Sequence, residues 1–456
     1  MPKLLKIFET KHVKKIKEWK KLLEEGKLLE VEEAVQLLLR ELFVKIMGYL
    51  LTEAGTSSKF KKKLEGSYKE QGVGQLRQRK NRIQLITGDW VSYKSYYARS
   101  VSKGTTLATR HLSELYWGCV KGASVGYASL LSIYSVMCPS FEVGAKILGL
   151  HSIQVTASRM RKVGIGMGEL GQKIGIRGIL KDGETLQDKR VVVSFDGGRS
   201  RTREANGKRN KKGNAQFDTP WKEPKIIVIQ VLNETGEVER KKSIPFYYGT
   251  MKSTNKAMKK MEEALILLGA DKASILQFIS DGALSIWRNI KKVIRRVGIA
   301  FSKVVFTLDY YHGVEHLKEL SKMLPEEEKK QKVVFEEWKE MLWEGLANSI
   351  ARDFKKRIKK AGKTLTEEME TAIAYFFKHH DHMQYKQFKR RKLLCGSGLV
   401  ESAVRRIINL RFKGPSTFWE IGTLENLILL RCVFLAGRWD NLLKNIQLHL
   451  KNCGTI

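Results

Sequence analysis

Residues 190–196 read Arg190-Val191-Val192-Val193-Ser194-Phe195-Asp196, an apolar run that ends on a carboxylate. The same pattern recurs at 274–281, which ends on Asp281, and at 302–309, which ends on Asp309. The segments between these runs have strand composition at 225–232 and 238–248 and helical periodicity at 254–268 and 284–297. The order of three strands, helix, strand, helix and strand predicts an α/β domain with a mixed five-stranded sheet and flanking helices.

The rest of the chain is predicted to be mainly helical, which makes the fold class α/β plus α. A short β element is expected near 83–93, where β-forming residues surround Gly88-Asp89 and suggest a hairpin. The predicted division has five parts. They are a helical region at 1–74, a small β element with helices at 75–185, the first part of the α/β domain at 186–313, an all-helical insertion at 314–390, and a last helix with a helical tail at 391–456.

A helix-turn-helix pattern is present at 139–165. A short helix ends near Gly149, and a second helix is predicted to be capped by Ser152 and to present Arg159 and Arg161. An ordinary helical hairpin explains the same pattern, so DNA binding here is one of two interpretations.

Composition narrows the class of partner. The 456 residues carry a net charge of +36, which favours a polyanion such as nucleic acid, with an acidic membrane surface as the second candidate. Many of these cations could equally be solvated helix faces. The five cysteines form no CxxC pair, and no apolar run is long enough to span a bilayer. We therefore expect a cytoplasmic protein that does not enter a membrane.

Three carboxylates form the candidate catalytic set. Asp196 and Asp281 each follow an apolar strand and precede a glycine, at the strand ends where ligands gather in α/β sheets. Glu401 lies in the first turn of a predicted helix that begins near Gly398. Carboxylate oxygens suit Mg²⁺ or Mn²⁺, and two such ions would support phosphoryl transfer. Alternatively, strand-Asp-Gly is a simple turn and Glu401 only complements the helix dipole.

Residues close to these three carboxylates in the sequence are expected to have supporting roles. Asp309 and His312 are expected to support the site, with direct metal ligation by Asp309 as the rival interpretation. Arg405 lies one turn after Glu401 and could pair with it or bind phosphate. The closely spaced His379, His380 and His382 are expected to form an exposed or DNA-facing patch rather than a metal cluster.

Several segments resemble DDE transposases of insertion-sequence type, in particular the ISKra4 family near the ISL3 and Mutator-like enzymes. The matching segments are Val193-Ser194-Phe195-Asp196-Gly197-Gly198-Arg199, Ile279-Ser280-Asp281-Gly282-Ala283, Leu308-Asp309-Tyr310-Tyr311-His312-Gly313-Val314-Glu315-His316-Leu317, Gly396-Ser397-Gly398-Leu399-Val400-Glu401-Ser402-Ala403, Arg411-Phe412-Lys413-Gly414, Leu430-Arg431 and Gly437-Arg438-Trp439. The resemblance covers about residues 185–445.

The resemblance implies an RNase H-like catalytic core in which Asp196, Asp281 and Glu401 hold two divalent ions. It implies cleavage of DNA at the ends of a mobile element and transfer of the cut strand into target DNA. DNA is then the partner, and a homo-oligomer, in particular a dimer on DNA, is expected. The alternatives are an RNase H-like nuclease without strand transfer and a DNA-binding protein that no longer catalyses.

The expected DNA contacts come from basic residues and one aromatic. They are Arg199, Arg201, Arg203, Lys208, Arg209, Arg159, Arg161, Arg406, Arg411, Lys413 and Trp419.

Overall fold

A computed structural model describes residues 15–69, 73–100, 110–240 and 243–453. Within these ranges the chain forms two compact units. One lies in 1–130, 148–155 and 447–456, and the other in 131–147 and 156–446. The five-part division expected from the sequence stays a prediction.

Helices are the commonest element among the described residues. In chain order they are α1 (Leu28–Thr56), α2 (Ser58–Ser67), α3 (Leu112–Tyr116), α4 (Val125–Met137), α5 (Phe141–Leu150), α6 (Ala157–Ile174), α7 (Thr254–Leu267), α8 (Leu284–Val297), α9 (Tyr310–Lys322), α10 (Glu328–Trp343), α11 (Ala347–Lys360), α12 (Glu367–His379), α13 (Tyr385–Arg390), α14 (Gly398–Val404), α15 (Leu410–Phe412), α16 (Ile421–Leu435) and α17 (Trp439–Cys453). A π-helical turn, Arg405–Asn409, joins α14 to α15.

The strands fall into one large sheet and three smaller ones. In chain order they are β1 (Val73–Gln84), β2 (Trp90–Ser100), β3 (Arg110–His111), β4 (Arg190–Gly197), β5 (Ser200–Arg201), β6 (Glu204–Arg209), β7 (Ala215–Asp218), β8 (Trp221–Lys222), β9 (Lys225–Leu232), β10 (Phe246–Thr250), β11 (Ile275–Ser280) and β12 (Val304–Leu308).

The first unit contains the predicted hairpin. β1 and β2 pair antiparallel and close at Gln84↔Trp90, which confirms it. Gly88 adopts a φ of 82°, a conformation that favours glycine in a tight turn. The guanidinium of Arg40 on α1 holds the turn, since it lies 3.0 Å from the Asp89 carboxylate and donates to the Thr87 carbonyl at 2.9 Å.

The second unit is built on a five-stranded mixed sheet with the order β10-β9-β4-β11-β12. β9 pairs antiparallel with both β10 and β4, whereas β4, β11 and β12 run parallel. The apolar runs that predicted these strands are almost wholly buried, because helices cover the sheet. The predicted α/β class with a mixed five-stranded sheet is therefore confirmed.

Five helices, α9 to α13, lie between β12 and α14. Their apolar side chains form one core that is continuous with the sheet, in which Trp338 and Phe354 belong to the same buried cluster as Val192 and Ile279. The long interval before Glu401 is thus folded structure and not a linker.

The predicted helix-turn-helix requires a correction. The second helix, α6, begins at Ala157 and is capped by Thr156, whose hydroxyl accepts from the Arg159 amide at 3.1 Å. Ser152 instead adopts a positive φ of 59° in the preceding turn. Glycine lets α6 pack closely against α16, since a Cβ at Gly168 would lie 2.5 Å from Asn426 Cβ.

Among the described residues, no helix combines the length and apolar character needed to cross a bilayer.

A buried ion pair ties α17 to the loop before β4. Arg438 is 1% exposed, and its guanidinium donates to both carboxylate oxygens of Glu184 at 2.6 Å. It also donates to the Pro245 carbonyl at 2.9 Å. Such a bidentate geometry fixes the relative position of three segments.

We expect Arg438→Met to lower the free energy of unfolding by about 3–5 kcal/mol, because it leaves the Glu184 carboxylate without its partner. Urea denaturation measures this loss. Lys444→Met is the control, since the Lys444–Asp182 pair is exposed on both sides and its loss should cost about 1 kcal/mol or less. Equal effects of the two substitutions would contradict the structural role of Arg438.

Candidate active site

Parallel pairing places three aspartates in one row. In the β4–β11 pair, Ile279 lies opposite Ser194, an offset of 279 − 194 = 85, which is also 281 − 196. In the β11–β12 pair, Ser280 lies opposite Leu308, an offset of 308 − 280 = 28, which is also 309 − 281. Adjacent strands lie about 4.8 Å apart. Asp196, Asp281 and Asp309 therefore occupy equivalent positions at the same edge of three neighbouring strands.

The electrostatics of Asp196 show that the acids act on one another. Burial raises the pKa of its carboxyl to about 6, and the negative charges of Asp281, Glu401 and Glu223 add to the rise. A hydrogen bond from the Gly197 amide, at 2.6 Å, opposes it. Two acids from strand ends and one from a distant helix thus share one electrostatic environment.

Glu401 reaches this edge on α14, which packs against β4 and β9. It lies in the first turn of the helix, as predicted. The π-helical turn that follows leaves the Arg406 carbonyl to accept from the Arg431 guanidinium at 2.8 Å. Such turns are frequent at functional sites.

Asp309 is held by the protein. Its side chain is 4% exposed, and one carboxylate oxygen accepts from the Tyr311 amide at 2.7 Å. The other accepts from the Ser397 amide at 3.0 Å and from the Ser397 hydroxyl. The same hydroxyl lies 2.5 Å from Glu401 Oε1. Asp309 is thereby placed to position the loop before Glu401. Its supporting role and its direct ligation of a metal both stay predictions.

The carboxylates of Asp196, Asp281 and Glu401 suit a hard cation, although they do not converge on one point. Carboxylate oxygens are the ligands that Mg²⁺ and Mn²⁺ prefer. In the described part of the chain, no three His, Cys, Asp or Glu side chains converge closely enough to hold a metal ion. Asp196, Asp281 and Glu401 are therefore in electrostatic contact without forming a closed cage.

The basic insert after Asp196 is a β-ribbon. β5 pairs with β8 and β6 pairs with β7, which makes a two-part ribbon over 200–222. The Arg203 guanidinium lies 3.6 Å from the Phe217 ring centroid, and that of Arg201 lies 4.9 Å from the Trp221 ring. These contacts stiffen the ribbon. The candidate DNA-binding residues Arg199, Arg201, Arg203, Lys208 and Arg209 are all exposed on it or at its base.

Two expected DNA contacts are corrected. Arg411 is 3% exposed, and its guanidinium donates to the carbonyls of Ser135 at 3.0 Å and Pro139 at 2.8 Å. Trp419 is 6% exposed, and its indole donates to the Phe412 carbonyl at 3.2 Å. Both side chains are engaged in the core, so neither is presented to DNA.

The remaining candidates differ in exposure. Lys413 and Arg405 are exposed, and Arg405 forms no ion pair with Glu401. Arg406 is exposed but donates to the Tyr247 hydroxyl at 3.0 Å. Arg161 is exposed and donates to Thr423 Oγ1 at 3.5 Å, and Arg159 is half-buried.

Sequence reasoning missed two members of the site. Ser397 connects Asp309 with Glu401, and Glu223 adds negative charge near Asp196. Ser397 lies in the Gly396-Ser397-Gly398 motif already singled out, so a signal existed for it. Glu223 follows the ribbon in the sequence, whereas Asp196 precedes it. No motif around Glu223 indicated that it lies near the site.

The expectation of an exposed or DNA-facing histidine patch is wrong for two members. His379 is 4% exposed, and His382 lies against the rings of Trp287 and Phe306 at 5.1 and 5.7 Å.

Comparison with known proteins assigns no family. No protein-family model and no curated protein matches the chain. The chain is similar to a solved structure of the Drosophila P element transposase strand transfer complex, with 12% identity, a TM-score of 0.25, and coverage of 72% of this chain and 83% of that one. A TM-score that low carries no conclusion, so the resemblance to ISKra4-type transposases stays a prediction.

We expect Asp196→Asn to stabilise the metal-free protein above pH 6. The folded-state pKa of Asp196, about 6, exceeds the ordinary value of 3.8, so ionisation costs stability as pH rises through that window. The amide removes this cost, and the gain at pH 7.5 should be on the order of 1 kcal/mol. At pH 4 the gain should vanish because the wild-type carboxyl is then largely protonated.

Thermal melts in EDTA at the two pH values measure the effect. A gain that is the same at both would contradict the raised pKa that burial and the neighbouring charges give Asp196.

Proposed function

We propose that this chain is a DDE-type DNA transposase with an RNase H-like catalytic core. The observation that carries the proposal is the carboxylate row at the edge of β4, β11 and β12, joined by Glu401 from α14. The strand order supports it, because an Asp ends the first and fourth strands in chain order, as the sequence resemblance implied. The reaction is cleavage at the ends of a mobile element, followed by strand transfer.

Asp196, Asp281 and Glu401 are the residues that would hold two Mg²⁺ or Mn²⁺ ions. Such ions stabilise charge on the phosphate and favour deprotonation of the attacking oxygen. Asp309 and Ser397 keep Glu401 at the edge of the sheet, and His312 follows on the same helix, α9.

The chemistry has two steps. Water attacks the phosphodiester, the P–O bond to the 3′ oxygen breaks, and a free 3′-OH results. That 3′-OH then attacks a phosphodiester of the target DNA, which forms one P–O bond as another breaks.

The substrate is double-stranded DNA, bound through its phosphates. The exposed cations of the 200–222 ribbon lie in the chain directly after Asp196, at the edge where the reaction would occur. Phosphate contacts of this kind position DNA without reading its sequence. A dimer on DNA is part of the same proposal, since two element ends must be handled together.

A DNA-binding protein that does not catalyse is the second candidate. It is favoured by one observation, that no three potential ligands converge among the described residues. Metal-dependent cleavage separates the two candidates, and formation of joined products separates a transposase from a nuclease.

We expect Asp196→Asn, Asp281→Asn and Glu401→Gln each to abolish cleavage while DNA binding persists. Each removes one negative ligand, and a loss of several kcal/mol of transition-state stabilisation corresponds to about 10³-fold or more in rate. The assay is Mg²⁺-dependent nicking and joining of a plasmid that carries the DNA flanking the chain's own gene.

Asp309→Asn should lose about 10–100-fold, as expected for a residue that acts through another. Glu344→Gln is the control, because Glu344 is 44% exposed, is paired with Lys386 and is not among the charges that act on Asp196. Full activity of Glu401→Gln would remove the helix acid from the set. An inactive Asp309→Asn beside an active Asp281→Asn would transfer the second ligand to Asp309.

Duplex binding should weaken steeply with salt. For about 6–10 phosphate contacts the affinity falls roughly 10³–10⁵-fold between 50 and 200 mM salt. Replacing Lys208 and Arg209 with Gln should reduce the slope of log affinity against log salt by about 2. Replacing Lys329 and Lys330 of α10 with Gln changes net charge equally and serves as the control. If both double substitutions reduced the salt-dependence slope equally, the ribbon would not be a specific DNA contact.

A further inference from the structure

A cavity of about 420 Å³ opens beside Asp281. Its walls come from the segment after β11, from α9 and from α12 of the helical insertion. The side chains that give it chemical character are Asp281, His312, His316, Tyr375, Lys378 and His379. The volume is within the range of small-ligand sites, about 300–1,000 Å³.

Two buried polar atoms of residues that line this cavity lack partners in the described part of the chain. They are the Tyr375 hydroxyl and Nδ1 of His379, a side chain that is 4% exposed. Buried polar groups are nearly always hydrogen-bonded, so these two atoms are available to pair with a ligand. Burial, with nearby cationic groups, lowers the pKa of His379 to about 4, so its neutral ring offers one donor and one acceptor at pH 7.

The cavity also has aromatic and apolar walls. The rings of His316 and Tyr375 are stacked with their centroids 3.8 Å apart, and Ala283 and Ala374 contribute small apolar surfaces. Aromatic side chains of this kind bind the faces of unpaired nucleobases without regard to sequence.

The charges decide which part of a nucleotide enters. The Asp281 carboxylate in the lining disfavours a phosphate inside the cavity, whereas Lys378, which is exposed, can bind a phosphate at the surface. A neutral base inside the cavity avoids repulsion by Asp281, and a phosphate outside it can pair with Lys378.

We propose that this cavity binds one unpaired nucleotide of the DNA strand that lies at the carboxylate row. The proposal rests on the proposed function for its substrate class. The base lies along the Tyr375 and His316 wall, its polar edge pairs with the Tyr375 hydroxyl and His379, and Lys378 binds the adjoining phosphate. The helical insertion thereby contributes to substrate binding beside the catalytic edge.

The experiment compares binding of a labelled oligothymidine single strand with that of a mixed-sequence duplex of equal length, by fluorescence anisotropy in EDTA. Ala374→Trp fills the cavity from an exposed helix position. We expect it to weaken single-strand binding about tenfold, as loss of one stacked base would, and to leave duplex binding unchanged. Ala361→Trp is the matched control, since Ala361 is exposed on the same insertion and does not line the cavity.

Tyr375→Phe is a second variant that keeps the ring and removes the hydroxyl, and it should weaken single-strand binding by less than Ala374→Trp. Unchanged single-strand affinity in Ala374→Trp, or equal losses for single strand and duplex, would overturn the proposal. Because this test omits metal, it can fail while cleavage by the carboxylate set succeeds, and the reverse also holds.

Discussion

Burial of the Asp196 carboxyl beside other negative charges is the constraint on which the candidate site depends. The register of three parallel strands aligns Asp196, Asp281 and Asp309 at one edge, and α14 adds Glu401. Burial and these neighbouring charges raise the pKa of Asp196 to about 6. An arrangement that costs stability without a counter-charge is expected where a cation binds or where acid chemistry takes place.

Ser397 and Asp309 fix the position of Glu401 beside the sheet through hydrogen bonds. Asp309 uses its carboxylate on backbone amides and on Ser397, and so holds the loop that carries Glu401 toward the sheet. The five insertion helices separate β12 from α14 in the chain, yet their core is continuous with the sheet. Folded helices, and not a flexible linker, therefore connect the strands that carry Asp196 and Asp281 with the helix that carries Glu401.

The sequence predicted those features that depend on local pattern. Apolar runs ending on Asp located the strands, and the Gly-rich motif located the Glu401 helix. The sequence did not predict which basic side chains are buried, because the net charge does not distinguish buried cations from exposed ones. Arg411 and Arg438 lie inside the core, bound to carbonyls or to Glu184. Ser152 and Thr156 both suit a helix cap, and only the backbone conformation of the folded chain decides between them.

Binding of Mn²⁺ tests the central claim most directly, because it reads the carboxylate set without requiring the correct DNA. Calorimetric titration of the metal-free protein, with and without duplex DNA, measures the affinity and number of ions. The account predicts Mn²⁺ binding that Asp196→Asn, Asp281→Asn and Glu401→Gln each weaken, and that Glu344→Gln leaves unchanged. Binding that none of the three weakens, or no binding even with DNA present, would contradict it.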